Sequence, residues 1–235
     1  EYDQQPTLDH PSPCKQCGEE VHVQGIAKNN KVICNHCGSS YRYPSLKPDA
    51  PPRHRMWAIE YLCDSCKSQH EGRFFKKPDE KDLQKVGQAV ARLEEQADGL
   101  PIPNDKIPDG DETRRLHRWG YSRFREMFNE RQLLGLGLLL KRIMTVEHEE
   151  VRHALLTVFS DFLRYQNMLC RYDTYALKCQ DIFSVHGFPV GLVQCENNLL
   201  GIPKVGSGAF RHFVQKYLRA KEYCLSPFET WCEGN

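Results

Sequence analysis

CKQCGEEVHVQGIAKNNKVICNHCGSSYRY, residues 14–43, carries two Cys-x-x-Cys pairs, Cys14/Cys17 and Cys34/Cys37, with sixteen residues between them. Thiolates two residues apart have the spacing of a zinc knuckle, and this interval suits a ribbon in which two hairpin turns share one ion. A third pair, Cys63/Cys66, follows after twenty-five more residues. Short runs of β-formers flank the pairs: Val21 to Val23, Tyr41 to Tyr43, and Ile59 to Leu62. The segment 1–77 is therefore expected to be β-rich, with hairpins whose turns hold metal.

Six clustered cysteines also suit disulfides in a secreted protein. Against that, no apolar signal-like region is present, and Cys170, Cys179, Cys195, Cys224 and Cys232 are scattered singly through apolar or helical stretches. A reducing, cytoplasmic compartment fits better. An all-thiolate site leaves no open position for water or substrate, so the expected zinc is structural rather than catalytic. Cys14, Cys17, Cys34, Cys37, Cys63 and Cys66 exceed the four ligands one tetrahedral ion needs, and either interval suits a ribbon. Which two pairs share the ion stays open here. The third pair is either a second site, recruiting His54 or His70, or two plain thiols.

The chain has 235 residues and a formal charge of +1, enough for one large or two small domains and too near neutral for a protein that seeks polyanions with its whole surface. Its longest apolar run, Leu133 to Ile143, is half of what crosses a bilayer, so no membrane partner is expected. Because the sequence begins at Glu1 rather than Met, it reads as a piece of something longer. The fold class expected is α+β: the zinc segment 1–77, a connector over 78–111, and a mainly helical domain over 112–235 with one or two short strands. In the connector, Leu83, Val86, Val90, Leu93 and Ala97 form one apolar stripe, and Pro101, Pro103 and Pro108 keep the following loop extended. Further on, Asp111 and Glu112 open a helix and Phe124 to Phe128 form a short one. Leu133 to Ile143 read as a helix buried on most sides. A longer helix after Glu147 turns Val151, Leu155, Val158, Phe162 and Leu169 to the core. Phe188 to Cys195 read as a strand and Phe210 to Tyr223 as a final helix.

Two basic surfaces mark the last segment. Arg114, Arg115, Arg118, Arg123 and Arg125 are interleaved with Trp119 and Tyr121, a mixture suited to phosphate contacts and to stacking on an unstacked base. The competing reading is a solvated face paired with Glu112, Glu126 and Glu130. The second surface comprises Lys204, Arg211, His212, Lys216 and Arg219; helical spacing puts His212, Lys216 and Arg219 on one side. The two are expected to belong to one nucleic-acid track on helices stacked in a common core. The turn Gly206-Ser207-Gly208 resembles a cofactor loop of S-adenosylmethionine-dependent DNA methyltransferases, but Pro203 precedes it and no ribose-binding carboxylate follows some twenty residues on. A flexible helix start is the simpler reading. His148 and His153 are five apart, which excludes the His-Glu-x-x-His helix of a zinc protease.

The phrases IPDGDETRRLHRWGYSRFREMFNERQLLGLGLLLKRI (107–143), FSDFLRYQNMLCRYDTYALKCQDIFSVHGFPVGLVQCENNLLGI (159–202) and GSGAFRHFVQKYLRAKEYCLSPFE (206–229) resemble a family of large prokaryotic adenine-specific DNA methyltransferases. In these a multi-cysteine zinc segment and a helical region interrupt the methyltransferase motifs. The resemblance implies zinc in this chain, S-adenosylmethionine for the parent enzyme, and double-stranded DNA and the remainder of the methyltransferase as partners. The family's Asp/Asn-Pro-Pro-aromatic tetrapeptide is missing, since the one Pro-Pro pair, Pro51-Pro52, lies between Ala50 and Arg53. A catalytic domain outside residues 1–235 is therefore expected, with this chain inactive alone. The alternative function is a zinc-ribbon adaptor that docks another protein and binds no nucleic acid.

Overall fold

Each of the first two knuckles closes a tight turn between short antiparallel strands, and each turn needs a left-handed residue that glycine supplies: Gly18 at φ 77° and Gly38 at φ 70°. The computed structural model describes residues 12–14, 16–21, 31–42, 50–66, 73–190, 194–203 and 205–230. Strands β1 (Ser12–Pro13) and β2 (Glu20–Val21) pair across the first turn, and β3 (Lys31–Ile33) and β4 (Ser40–Arg42) across the second. A third hairpin, β5 (Ile59–Leu62) with β6 (Arg73–Lys76), pairs Tyr61 opposite Phe74, and their rings stack at 5.7 Å. Aromatic pairs facing each other across strands are a principal source of hairpin stability. The readings on Val23, Tyr43, His70, Lys204 and Cys232 lie outside the described residues, as does the side chain of Cys66.

Helix α1 (Glu80–Gln96) starts at a reciprocal cap: Asp82 N donates to Asp79 Oδ1 at 3.0 Å and Asp79 N to Asp82 Oδ2 at 3.1 Å. Tyr61 Oη also donates to Asp82 at 2.9 Å, tying β5 to the helix start. The Asp79 N–H, with the Lys76 ammonium behind it, holds the Asp82 carboxyl far below the usual carboxylate range. Leu93 is buried and Val86 and Val90 are half-buried, but Leu83 is 52% exposed, so the apolar stripe is covered only beyond its first turn.

The chain divides into two compact units, Glu1–Glu95 with Asn104–Glu126, and Gln96–Pro103 with Met127–Asn235. That division differs from the three segments read from sequence: the arginine-rich stretch falls in the first unit, not with the later helices. There Asp111 to Thr113 are a turn, helix α2 spans Arg114–Arg118, and Phe124–Met127 form a 3-10 turn.

In the second unit, α3 (Glu130–Met144), α4 (Glu149–Phe162) and α5 (Phe210–Leu225) surround a core of Leu136, Ile143, Val158, Phe159, Phe162 and Phe213. Phe162, fully buried, meets the edges or faces of Phe159, Phe210 and Phe213 at 5.3 to 6.3 Å. Of the expected α4 core face, Val151 is 45% exposed, and Leu169 is fully buried but lies beyond the helix end. A hairpin of β7 (Tyr172–Asp173) and β8 (Lys178–Cys179) supplies the short strands. No strand forms over 188–190 or 194–195, contrary to the sequence reading. Pro189 has no N–H to offer a ladder, and the Val190 N–H turns back to Phe188 O at 2.9 Å. The architecture is thus helices with small antiparallel sheets, and among the described residues no helix is long and apolar enough to cross a membrane.

Helix α3 begins with a complete capping box between Asn129 and Gln132. Asn129 Nδ2 also donates to Glu196 Oε2 at 2.6 Å. Asn129→Ala is expected to lower the unfolding free energy by about 1 to 2 kcal/mol, and Asn129→Ser, which keeps a cap oxygen, by clearly less. Urea midpoints of the two variants check this; equal losses would place the stabilisation in the Glu196 contact instead.

Candidate metal centre and cationic pocket

The two knuckles are built alike. Cys14 N donates to Glu19 O at 2.8 Å and Gly18 N to Cys14 O at 2.9 Å; Cys34 N donates to Ser39 O and Gly38 N to Cys34 O, both at 2.9 Å. The turns bring Cys14, Cys17, Cys34 and Cys37 together, with all four sulfurs within 4.8 Å of one another. Between knuckles, Cys14 Sγ lies 3.7 Å from Cys37 Sγ, and Cys17 Sγ 3.8 Å from Cys34 Sγ. A tetrahedral zinc with bonds of about 2.3 Å to sulfur sets its ligands about 3.8 Å apart, so the four thiols fit such an ion with little adjustment. Cys63 stands outside this group, its Sγ 3.0 Å from Ser65 Oγ. Among the described residues, the interval of sixteen is the one whose cysteines come together.

Electrostatics separate three of these thiols. The Ser39 hydroxyl, then the backbone N–H groups of Cys17 and Gln16, pull the Cys14 thiol down to about 6, and Ser39 likewise lowers Cys37. The Glu19 N–H favours the Cys17 thiolate, but desolvation and hydrogen bonds to the neighbouring sulfurs push that thiol up to about 12. Cys14 and Cys37 are thus favoured as thiolates and Cys17 is not, as expected where negative charge crowds one spot. Cys14, Cys17, Cys34 and Cys37 could hold a metal ion, and a dication there would offset that crowding; with four thiolate ligands its role would be structural.

Of the first basic surface, Arg114 pairs with Asp111, Arg118 and Arg115 are exposed, and Arg125 is half-buried. Arg123 Nη1 donates to Asn104 O at 2.5 Å. Trp119 and Tyr121 are 8% and 1% exposed, so neither is open to stack on a base. Leu116 O accepts from both their N–H groups, and Gly120 between them sits at φ 83°; this turn carries both rings into the core. Helices α2 and α5, which carry the two basic surfaces, belong to different units.

The second surface keeps its predicted helical face. His212, Lys216 and Arg219 line one pocket of about 290 Å³ together with Arg164, Tyr165, Gly208 and Phe213, while Arg211 is exposed outside it. Arg164 and Lys216 flank the Phe213 ring at 5.5 and 5.3 Å, and Tyr165 meets it edge-on at 5.8 Å. Asp161 lies 3.1 Å from Arg164 Nε and 3.2 Å from Lys216 Nζ, and Asp181 lies 3.4 Å from Arg164 Nη1. Three permanent cations thus face two carboxylates, and the buried Nδ1 of His212 has no hydrogen-bond partner among the described residues. Sequence reasoning missed Arg164, which follows a helix end with no motif around it. The Gly206 to Gly208 turn is pinned: Asn197 Nδ2 donates to Ser207 O at 2.8 Å and Gln166 Nε2 to Gly208 O at 2.9 Å.

Family models, curated proteins and solved structures were compared with the chain, and none matches it. The functional reading therefore rests on the four-cysteine group, the pocket and the sequence resemblance.

Proposed function

We propose that this chain is the zinc-binding, DNA-contacting portion of a DNA adenine methyltransferase, working in a reducing cytoplasmic compartment. Cys14, Cys17, Cys34 and Cys37 hold a structural zinc in a ribbon, and the α5 pocket takes phosphates of duplex DNA. Methyl transfer from S-adenosylmethionine belongs to a catalytic domain outside these residues. The observation that carries the DNA reading is the pocket itself, an open concavity in which Arg164, Lys216 and Arg219 surround an aromatic floor. Guanidinium and ammonium groups at such a surface neutralise phosphates and release counterions, whereas a cofactor loop at Gly206 to Gly208 would need carbonyls and N–H groups that are free to turn to a ligand.

Binding to a short duplex at several salt concentrations tests this. Each neutralised phosphate contributes about 0.9 to the slope of log K against log salt, so Lys216→Ala/Arg219→Ala is expected to flatten the slope by about 2 and to weaken binding most at low salt. Binding by the parent chain with no salt dependence, or a slope the double variant leaves unchanged, overturns the DNA reading and favours the protein adaptor.

A further inference from the structure

Arg164 is held from several sides, and two carboxylates outside the pocket lining do part of the holding. Asp161, in the last turn of α4, sets Oδ1 3.1 Å from Arg164 Nε and Oδ2 3.2 Å from Lys216 Nζ, so one carboxylate bridges two cations on separate oxygens. Asp181 sets Oδ2 3.4 Å from Arg164 Nη1, while its Oδ1 accepts from Phe183 N at 2.8 Å. The guanidinium carbon lies 5.4 Å from the Tyr165 ring centre and 5.5 Å from that of Phe213, and Lys216 Nζ lies 5.3 Å from the latter. Asn167 Nδ2 donates to Arg164 O at 3.4 Å, which ties down the backbone as well. Arg164 and Lys216 line the pocket; Asp161 and Asp181 do not.

A carboxylate in the last turn of a helix meets the partial negative charge of the helix end, so Asp161 adds nothing to α4 by its position. Its ion pair with Lys216 is weak by itself, since the two side chains are 42% and 58% exposed. What the bridge supplies is geometry. Arginine and lysine have many rotamers, and immobilising each such side chain on binding costs about 2- to 12-fold in affinity. A bridge that fixes them beforehand removes part of that cost. Of the Arg164 nitrogens, Nε and Nη1 face carboxylates, while Nη2 bonds to none of the described residues and is left for a phosphate oxygen. We infer that Asp161 is a positioning residue of the phosphate pocket: by bridging Arg164 and Lys216 it presents both cations to one phosphate, so that taking its negative charge away weakens the hold on DNA. This rests on the reading of the pocket as a site for DNA phosphates.

Charge alone predicts the opposite. A carboxylate repels a phosphate, and deleting one several ångströms away in water strengthens binding by about two- to threefold. The sign of the effect therefore decides between the two accounts.

Asp161→Asn keeps the size of the side chain but leaves one acceptor oxygen for two cations. The full chain and this variant are titrated with a short duplex at several salt concentrations. Binding is expected to weaken by about three- to tenfold at every concentration, with the slope of log K against log salt unchanged, because all three permanent cations remain to displace counterions. Lys216→Ala/Arg219→Ala, which deletes charges, changes the slope instead. Asp161→Glu, with two acceptor oxygens, keeps most of the affinity. The urea midpoint of Asp161→Asn stays at or above that of the parent, since the helix end loses an unfavourable charge. Tighter or unchanged binding by Asp161→Asn overturns the positioning role, and the DNA reading survives that result provided the parent's salt slope is flattened by Lys216→Ala/Arg219→Ala. Weaker binding together with a lower urea midpoint assigns the loss to folding and overturns it too. A parent chain that binds duplex without salt dependence ends the DNA reading, and this inference with it.

Discussion

Cys34→Ser is expected to reduce bound zinc from about one per chain to near none and to unfold the two knuckle hairpins. The reason lies in how short the strands are. Strands β1 and β2 are two residues each, β3 and β4 three, and an isolated two-stranded hairpin is marginal in water at best. Among the described residues from 12 to 42, the buried side chains are those of Cys14 and Cys34, at 3% and 1% exposure. Ligand bonds to a zinc would add the stability such short strands lack, since in small zinc domains metal binding supplies about 10 to 16 kcal/mol of apparent free energy. Elemental analysis and amide hydrogen exchange read the outcome: protection at Cys14, Gly18, Cys34 and Gly38 is lost, while α4 and α5 keep theirs. Zinc follows pH in the same sense. Thiolates are the ligands, so loading falls as pH drops and protons compete, with Cys14 holding its charge down to about 6. Stoichiometric zinc in Cys34→Ser, or its loss in Cys63→Ser, would place the ion elsewhere.

The same contrast between local chemistry and packing explains what the sequence made legible. Cysteine spacing is a local property, and four of the six expected ligands meet as a knuckle pair requires; choosing between the two intervals needed the fold, because both lengths are permitted. Helix α3 was visible in its run of leucines. The final helix was legible too, since His212, Lys216 and Arg219 fall on one face by periodicity alone. Trp119 and Tyr121 misled because arginines around an aromatic look like a binding surface until the turn at Gly120 folds the rings inward. No strand forms at 188–190, where Pro189 has no N–H to offer a ladder, or at 194–195. Arg164 reaches its pocket through the packing of α4 against α5, a relation between residues 48 or more apart that no window of sequence contains.

Gly208→Ala is expected to destabilise the helical unit by about 3 kcal/mol or more, against about 1 kcal/mol for Gly206→Ala. Both glycines have positive φ, 70° at Gly206 and 80° at Gly208, so both alanines carry the strain of a left-handed backbone. Their surroundings differ. A Cβ at 206 meets nothing within 4 Å, whereas one at 208 falls 2.3 Å from two Tyr165 ring atoms and 2.6 Å from Tyr165 Cβ. Rotating the ring cannot relieve a clash that includes Cβ, so the backbone of one segment has to move. Neither is free to do so. Gln166, fully buried, binds Gly208 O at 2.9 Å, and Tyr165 is set edge-on against Phe213 in the core. The displaced Tyr165 also forms part of the cationic pocket, which ties this stability effect to the proposed DNA contact. Urea titrations followed by hydrogen exchange in α5, with duplex binding measured alongside, separate the cases: Gly208→Ala loses both stability and affinity, and Gly206→Ala keeps most of each. Two variants of equal stability would mean that the close approach of Gly208 to Tyr165 does not hold this loop in place.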